Sequence, residues 1–146
     1  MATPQNFGNH TRFTPLFHFV LMPLLLLNLI FAVYDTIHHW PVHRALGLWW
    51  IIMSVALVLL AALSRHAALK VQDRVIRLEE RLRLASLLPA SELAHANELT
   101  THQLIALRFA SDAELPALVH RTLTQNLEPK AIKQSIVTWR PDNERV

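Results

Sequence analysis

The chain has 146 residues and a formal net charge of +3, with 52% hydrophobic residues, 2 glycines and no cysteine. So few glycines exclude the glycine-rich loops that bind nucleotide phosphates, and the lack of cysteine excludes disulfides, thiolate metal sites and cysteine nucleophiles. The charge is uneven, since residues 1–63 carry +1, residues 64–89 carry +3 and residues 90–146 carry −1. The nearly neutral C-terminal part argues against a nucleic-acid-binding surface.

Two long stretches of the sequence contain no charged residue. They cover residues 13–34 and residues 45–64, which are 22 and 20 residues long. A helix needs about 20 apolar residues to cross the hydrocarbon core of a bilayer. The sequence therefore predicts two membrane-spanning helices, at about residues 14–38 and 45–64, and Pro23 predicts a kink in the first.

A short turn joins the two predicted spans, so we expect an antiparallel hairpin over residues 14–64. The turn contributes one formal cation, Arg44, whereas the opposite end of the hairpin has many. The cations at that opposite end are Arg12, Arg65, Lys70, Arg74, Arg77, Arg81 and Arg83. Lys and Arg accumulate on the cytoplasmic side of membrane proteins. The sequence therefore predicts that the N-terminal segment, residues 1–13, and the C-terminus both lie in the cytoplasm.

The second span continues without a helix breaker into a charged amphipathic stretch, residues 65–89, which we predict to be a stalk helix outside the bilayer. Six apolar residues recur in it at alternating intervals of three and four, the a/d pattern of a coiled coil. These residues, which we call the seam, are Ala68, Val71, Val75, Leu78, Leu82 and Ala85. We expect the seam to associate with a second copy or with a partner. Because it is short for a coiled coil, we also expect it to pack on the C-terminal domain.

The cations of the stalk predict contact with anionic lipid head groups. The residues concerned are Arg65, Lys70, Arg74, Arg77 and Arg81. One further feature of the stalk is that Glu79 precedes Arg83 by four residues, a spacing at which an ion pair supports a helix.

Residues 90–146 are predicted to form a small helical domain without strands. The predicted helices cover residues 91–99, residues 102–110, a third stretch that opens at residues 111–114 and runs to residue 127, and residues 130–137. Thr101 is the predicted N-cap of the second helix, and Ser111 and Glu114 have the spacing of a capping box that would open the third. The predicted fold class is all-α, with a transmembrane hairpin whose second helix extends as a cytoplasmic stalk and with a small helical C-terminal domain.

Nine histidines suggest two cofactor hypotheses. Asp35, His38 and His39 lie within about one turn at the end of the first span, where such residues can hold a divalent metal. His18 and His66 are predicted at similar depth on neighbouring helices, as axial ligation of a b-type haem requires. A two-span hairpin is too small to enclose a haem without a second copy, and interfacial histidines commonly meet head groups. No cofactor is therefore expected.

Asn28 is strongly polar and lies within the first predicted span. Such residues commonly form hydrogen bonds between helices, and we expect Asn28 to make an oligomer contact. No set of residues with the spacing of a nucleophile and its base is visible, so the sequence predicts no enzymatic activity.

Residues 72–84 have the sequence QDRVIRLEERLRL, which resembles the juxtamembrane motif of an uncharacterised family of small bacterial two-span integral membrane proteins. The similarity also includes Asn9-His10, Pro15, His18-Phe19, Pro23, residues 103–116, Ile132-Lys133, Trp139, Asp142 and Arg145-Val146. The family has a domain of unknown function, so the resemblance implies a membrane topology and supplies no catalytic residue.

These observations favour a non-enzymatic scaffold or accessory subunit of the bacterial inner membrane, which assembles as a homo-oligomer or within a membrane complex. The alternative is a cofactor-holding membrane protein. It would bind haem through His18 and His66, or a divalent metal through Asp35, His38 and His39.

Overall fold

The computed structural model describes residues 5–9 and 14–142 and divides the chain into two compact units. One unit contains residues 14–69, and the other contains residues 5–9 together with residues 70–142. All regular secondary structure in the described residues is helical, and they form no strand. The predicted all-α class is therefore confirmed.

The first long helix changes its winding before Pro23. It begins as a π-helix, π1, over Leu16–Leu21 and continues as α1 over Met22–His38. The backbone N–H of Met22 donates to the carbonyl oxygen of Phe17, five residues earlier. Proline has no N–H to donate, and a helix adjusts locally around it. The structure therefore has a π-helical stretch before Pro23, and the kink that the sequence predicts at Pro23 stays a prediction.

The second helix, α2, runs without interruption over Arg44–Leu87. Both α2 and the Leu16–His38 helix contain stretches long and apolar enough to cross a membrane, with mean hydropathies of 2.5 and 2.4. Only 11% and 6% of those stretches are buried, respectively, within the described structure. The core helix of a soluble protein would instead bury most of its apolar residues.

Four short helices form the C-terminal domain: α3 (Ala90–Ala96), α4 (Thr101–Leu107), α5 (Leu115–Gln125) and α6 (Pro129–Ser135). Its core consists of apolar side chains from all of these helices and from the end of α2. Leu104, Leu107, Phe109, Leu115 and Ile132 are completely inaccessible to solvent. The domain therefore folds against α2 around α4, whose side chains are mostly buried.

Two predicted helix starts in this domain are wrong. The N-cap of α4 is Thr100 rather than Thr101, because Gln103 lies three residues after Thr100 and completes a capping box with it. Ser111 and Glu114 form half of their predicted box, since the N–H of Ser111 donates to Glu114 Oε1 at 3.3 Å. Helix α5 nevertheless begins only at Leu115, because the Glu114 carboxylate also accepts from the backbone of the C-terminal tail.

The tail after α6 is held by backbone hydrogen bonds. The N–H of Arg140 donates to Phe109 O at 2.7 Å, and the N–H of Ser111 donates to Thr138 O at 3.1 Å. Asp142 at the end of this tail contacts Arg108 Nε at 3.2 Å. The N–H of Asp142 also donates to Gln5 Oε1 at 2.8 Å, so the first described residues of the chain contact the last.

Candidate interaction surface

The part of α2 beyond residue 70 has two different apolar faces. Residues two positions apart on an α-helix point about 160° apart around its axis. Leu82 is 65% exposed whereas Leu84 is 2% exposed, and Leu78 is 60% exposed whereas Glu80 is 5% exposed. One face of the helix is therefore buried by the C-terminal domain, and the opposite face is open.

The buried face combines leucines with two charged residues. Leu84 and Leu88 belong to the core of the domain. Arg83 directly precedes Leu84, and its guanidinium donates to Asp112 Oδ1 at 2.7 Å and to Ala110 O at 2.7 Å. The same guanidinium donates to Glu80 Oε2 at 3.2 Å. Arg83 thus connects α2 to the loop that precedes α5.

Glu80 is a buried carboxylate within this network. Burial raises the pKa of Glu80 above its ordinary value of 4.5, and the positive charges of Arg83, Arg140 and Arg108 oppose part of that rise. Arg140 Nη1 lies 3.9 Å from Glu80 Oε1. Such pairs mainly avoid the cost of leaving one buried charge alone. We therefore interpret Glu80 and Arg83 as residues that fix the domain on α2.

The open face carries the seam. Val71, Val75, Leu78 and Leu82 are 61%, 48%, 60% and 65% exposed, respectively. The expectation that the seam packs on the C-terminal domain is therefore wrong, because the domain covers the opposite side of the same helix. The association of the seam with another chain stays a prediction.

A stripe of cations lies beside the seam. Lys70, Arg74, Arg77 and Arg81 each precede a seam residue by one position, so they lie about 100° from it around the helix, and all four are exposed. We call these four residues the basic stripe. The fifth predicted head-group residue, Arg65, lies in the other unit, with its guanidinium carbon 5.8 Å from the ring centre of Phe17.

The predicted ion pair between Glu79 and Arg83 does not form in the described residues. The Arg83 guanidinium is instead taken up by Glu80 and Asp112, which lie on the domain side of the helix. Glu79 is exposed and is left available at the edge of the seam. Glu80, which is buried and lies one residue closer to Arg83 in the sequence, pairs with the arginine instead.

Within the residue 14–69 unit, Asn28 connects the two long helices. Its Nδ2 donates to Ser54 Oγ at 2.7 Å, and Trp50 Nε1 donates to Asn28 Oδ1 at 3.4 Å. Both groups of the Asn28 amide therefore have partners inside the hairpin. The geometry explains this polar residue without the oligomer contact that the sequence suggested.

Small residues bring the same two helices close together. Gly47 and Ser54 are buried on α2, and Ala32 and Thr36 are buried on α1. A Cβ atom at Gly47 would lie 2.8 Å from Thr36 Cγ2, closer than real side chains approach. Glycine is therefore required here by close helix packing, as is common between membrane helices.

The candidate ligand residues are arranged as follows. Of the predicted metal ligands, His39 and Asp35 are in contact, with 3.0 Å between His39 Nδ1 and Asp35 Oδ1. The third, His38, instead stacks its ring on Tyr34, with 3.9 Å between the ring centres.

The two predicted haem ligands have different surroundings. His18 Nδ1 lies 3.0 Å from Thr14 O, four residues earlier, and His66 is exposed. Across residues 5–9 and 14–142, His, Asp and Glu side chains form no group of three that could hold a metal ion. The haem and metal hypotheses stay predictions.

Comparison with protein families gives one match. The sequence pattern of DUF6526, a family of unknown function, matches residues 1–146. The chain belongs to this family. The resemblance of residues 72–84 to a family of unknown function is thereby confirmed.

No curated protein and no solved structure matches the chain. Membership of DUF6526 brings no activity, ligand or partner with it, because the function of the family is itself unknown. The two faces of α2 are therefore the feature of this chain that bears most directly on its function.

Proposed function

We propose that this protein is a non-enzymatic membrane scaffold, whose hairpin crosses a bilayer and whose stalk, the part of α2 after residue 64, presents the seam for assembly. The single observation that carries the proposal is the second apolar face of α2. Four large aliphatic side chains stay exposed on the side of the helix that faces away from the domain. Exposed apolar patches on a folded unit commonly mark interaction sites.

The membrane part of the proposal is supported by the exposure of the two long helices. Their most apolar stretches bury only 6% and 11% of their residues, so nearly all of their apolar surface lacks a covering within the chain. A hydrocarbon environment would cover that surface. The Asn28–Ser54 hydrogen bond and the Gly47–Thr36 contact hold the hairpin together from within, as polar and small residues do in membranes.

The orientation that we propose places both ends of the chain in the cytoplasm of a bacterium, with the His38–His39 turn outside. The excess of Lys and Arg near the two ends supports this orientation. The hydrogen bond from Asp142 N–H to Gln5 Oε1 supports a common side for both ends. The anionic head groups of the cytoplasmic leaflet would then meet Arg65, Lys70, Arg77 and Arg81.

Native mass spectrometry of the full chain in mild detergent tests the assembly. We expect a multiple of the 16.7 kDa chain mass, and we expect Leu78→Asp to dissociate it because a charge replaces an apolar contact. Val137→Asp is the matched control, since Val137 is an 87% exposed apolar residue outside the seam. A wild-type chain that is always a single copy, or an assembly that withstands Leu78→Asp, would contradict the proposal.

A further inference from the structure

We infer that the seam binds the seam of a second copy of this chain in parallel orientation, with Arg74 of each copy paired with Glu79 of the partner subunit. This inference rests on the proposed self-assembly and adds to it the identity of the partner, the direction of its helix and the charge pair that selects that direction.

The apolar contact follows from the spacing of the seam. Val71, Val75, Leu78 and Leu82 are separated by four, three and four residues, and all four are at least 48% exposed. Two helices with this spacing bury their apolar stripes against each other as knobs and holes. The spacing places Val75 and Leu82 at a positions and Val71 and Leu78 at d positions. In the central turn, the β-branched Val75 at a is therefore followed by Leu78 at d. That combination favours two strands.

The charges beside the seam distinguish the two possible directions of the partner helix. In this assignment Arg74 and Arg81 occupy g positions and Glu79 occupies an e position. In a parallel pair, a g residue faces the e residue of the following heptad on the other helix, so Arg74 faces Glu79 of the partner subunit twice by symmetry. In an antiparallel pair, g positions face g positions, and the arginines would repel one another. The charges therefore select the parallel pair.

Both members of the proposed pair are available. Arg74 and Glu79 are exposed, and neither forms an ion pair with another of the described residues. Arg83, the intrachain partner that the spacing suggested for Glu79, is 10% exposed and bound to Glu80 and Asp112. An exposed ion pair adds little affinity, but it can discriminate between orientations of an apolar contact.

The membrane gives an independent reason for the same direction. If two copies insert in one bilayer with the same topology, their α2 helices leave it on the same side and run in the same direction. The e/g charges and the proposed topology thus agree on a parallel pair. A partner of different sequence would have no reason to match the Arg74–Glu79 spacing of this chain.

Disulfide cross-linking tests the direction directly, because the natural chain has no cysteine. We would introduce Val71→Cys and Leu78→Cys separately into the full chain and oxidise it in membranes. In a parallel, in-register pair both d positions face their own copies, so both variants should form covalent dimers. Arg77→Cys is the control: it is exposed on the same turn but lies about 100° from Leu78, and it should cross-link at least roughly fivefold less.

The outcomes separate this inference from the proposed function. Val71 and Leu78 are about 10 Å apart along the helix, so an antiparallel pair cannot bring both positions onto their own copies. A dimer by native mass spectrometry in which only one position, or neither, cross-links would overturn the parallel pair and leave self-assembly intact. A chain that remains a single copy, or that binds one copy of another protein, would overturn both.

A charge exchange tests the pair itself. We expect Arg74→Glu and Glu79→Arg each to weaken dimerisation by roughly five- to tenfold, since each places like charges together at two symmetric sites. The double variant should recover wild-type affinity within about twofold. Arg121→Glu makes the same charge change at an exposed position of α5, outside the seam and the basic stripe, and should leave affinity near the wild-type value. A double variant as weak as the single variants would contradict the Arg74–Glu79 contact.

Discussion

Asn28 Nδ2 donates a hydrogen bond to Ser54 Oγ at 2.7 Å, and the Ser54 hydroxyl donates in turn to Trp50 O at 2.9 Å. Ser54 is 1% exposed, so this chain of hydrogen bonds lies inside the contact between α1 and α2. It connects two helices whose most apolar stretches are only 6% and 11% buried.

We expect Asn28→Ala to destabilise the hairpin by about 1 kcal/mol, the usual strength of a hydrogen bond between membrane helices. Thermal unfolding in detergent would measure the loss. Leu27→Ala is the control, because Leu27 is the neighbouring residue and is 63% exposed. Equal losses for the two variants would show that the polar contact adds nothing specific.

Gly47→Ala is expected to destabilise the hairpin by about 1–3 kcal/mol, because the new methyl group overlaps the Thr36 side chain. Adding Thr36→Ala should recover part of the loss, since it removes the atoms that the methyl group meets. Ala56→Val enlarges an exposed small residue of the same helix and serves as the control. The close contact would be refuted if Gly47→Ala unfolded at the wild-type temperature.

Glu80 makes the stability of the C-terminal domain depend on pH. Because burial raises its pKa above 4.5, the folded chain holds this proton more tightly than the unfolded chain does. The stability that protonation contributes is complete below pH 4.5 and is lost as the pH rises through the raised pKa. The Gln side chain of Glu80→Gln cannot ionise. We therefore expect the variant to lack the part of the fall in unfolding free energy with rising pH that Glu80 causes.

Chemical unfolding of the wild type and of Glu80→Gln between about pH 4 and about pH 8 would measure how the free energy of unfolding of each depends on pH. Glu79→Gln changes an exposed carboxylate on the same helix and should keep the wild-type profile. Parallel profiles for wild type and Glu80→Gln would exclude Glu80 as the source of the pH dependence.

Arg83→Met should destabilise the domain by about 3–5 kcal/mol, because it leaves the buried carboxylate of Glu80 without its nearest cation. Combining it with Glu80→Gln removes that unpaired charge, and we expect the double variant to be more stable than Arg83→Met alone. Denaturant titration of the three variants closes a double-mutant cycle. Strictly additive losses would mean that the two side chains do not interact.

The proposed topology predicts opposite labelling at two exposed valines of the cysteine-free chain. Val42 lies in the turn between the long helices and is 79% exposed, and Val137 lies in the C-terminal tail and is 87% exposed. A membrane-impermeant thiol reagent should label Val42→Cys in intact cells and Val137→Cys only after permeabilisation. Labelling of both positions from outside would contradict the hairpin.

The sequence predicts the helices of this chain better than it predicts their faces. Uncharged stretches mark the two long helices clearly, and the continuity of α2 follows from the lack of Gly and Pro between Gly47 and Pro89. The sequence does not show which face of α2 packs on the C-terminal domain. The exposed residues recur with the same helical spacing as the buried leucines do; they are Val71, Val75, Leu78 and Leu82. Glu80 and Arg83 are charged residues at buried positions, so hydrophobic patterning assigns them to solvent.

The helix starts in the C-terminal domain show a similar limit. Thr100 and Thr101 are chemically equivalent candidates for an N-cap, and only the distance to Gln103 distinguishes them. Glu114 lies at the spacing of a capping-box residue after Ser111. Its carboxylate, however, also accepts hydrogen bonds from the N–H groups of Val137 and Thr138, more than twenty residues later. Local sequence cannot show a competitor that arrives from so far along the chain.

The contact between Gln5 and Asp142 means that the C-terminal domain is discontinuous in sequence. Residues 5–9 belong to the same unit as residues 70–142, and the hairpin leaves that unit and returns to it. The hairpin is therefore an insertion between two parts of one domain. During synthesis, residues 5–9 cannot contact Asp142 until the rest of the chain has been made. The domain is therefore complete only after both long helices have been synthesised.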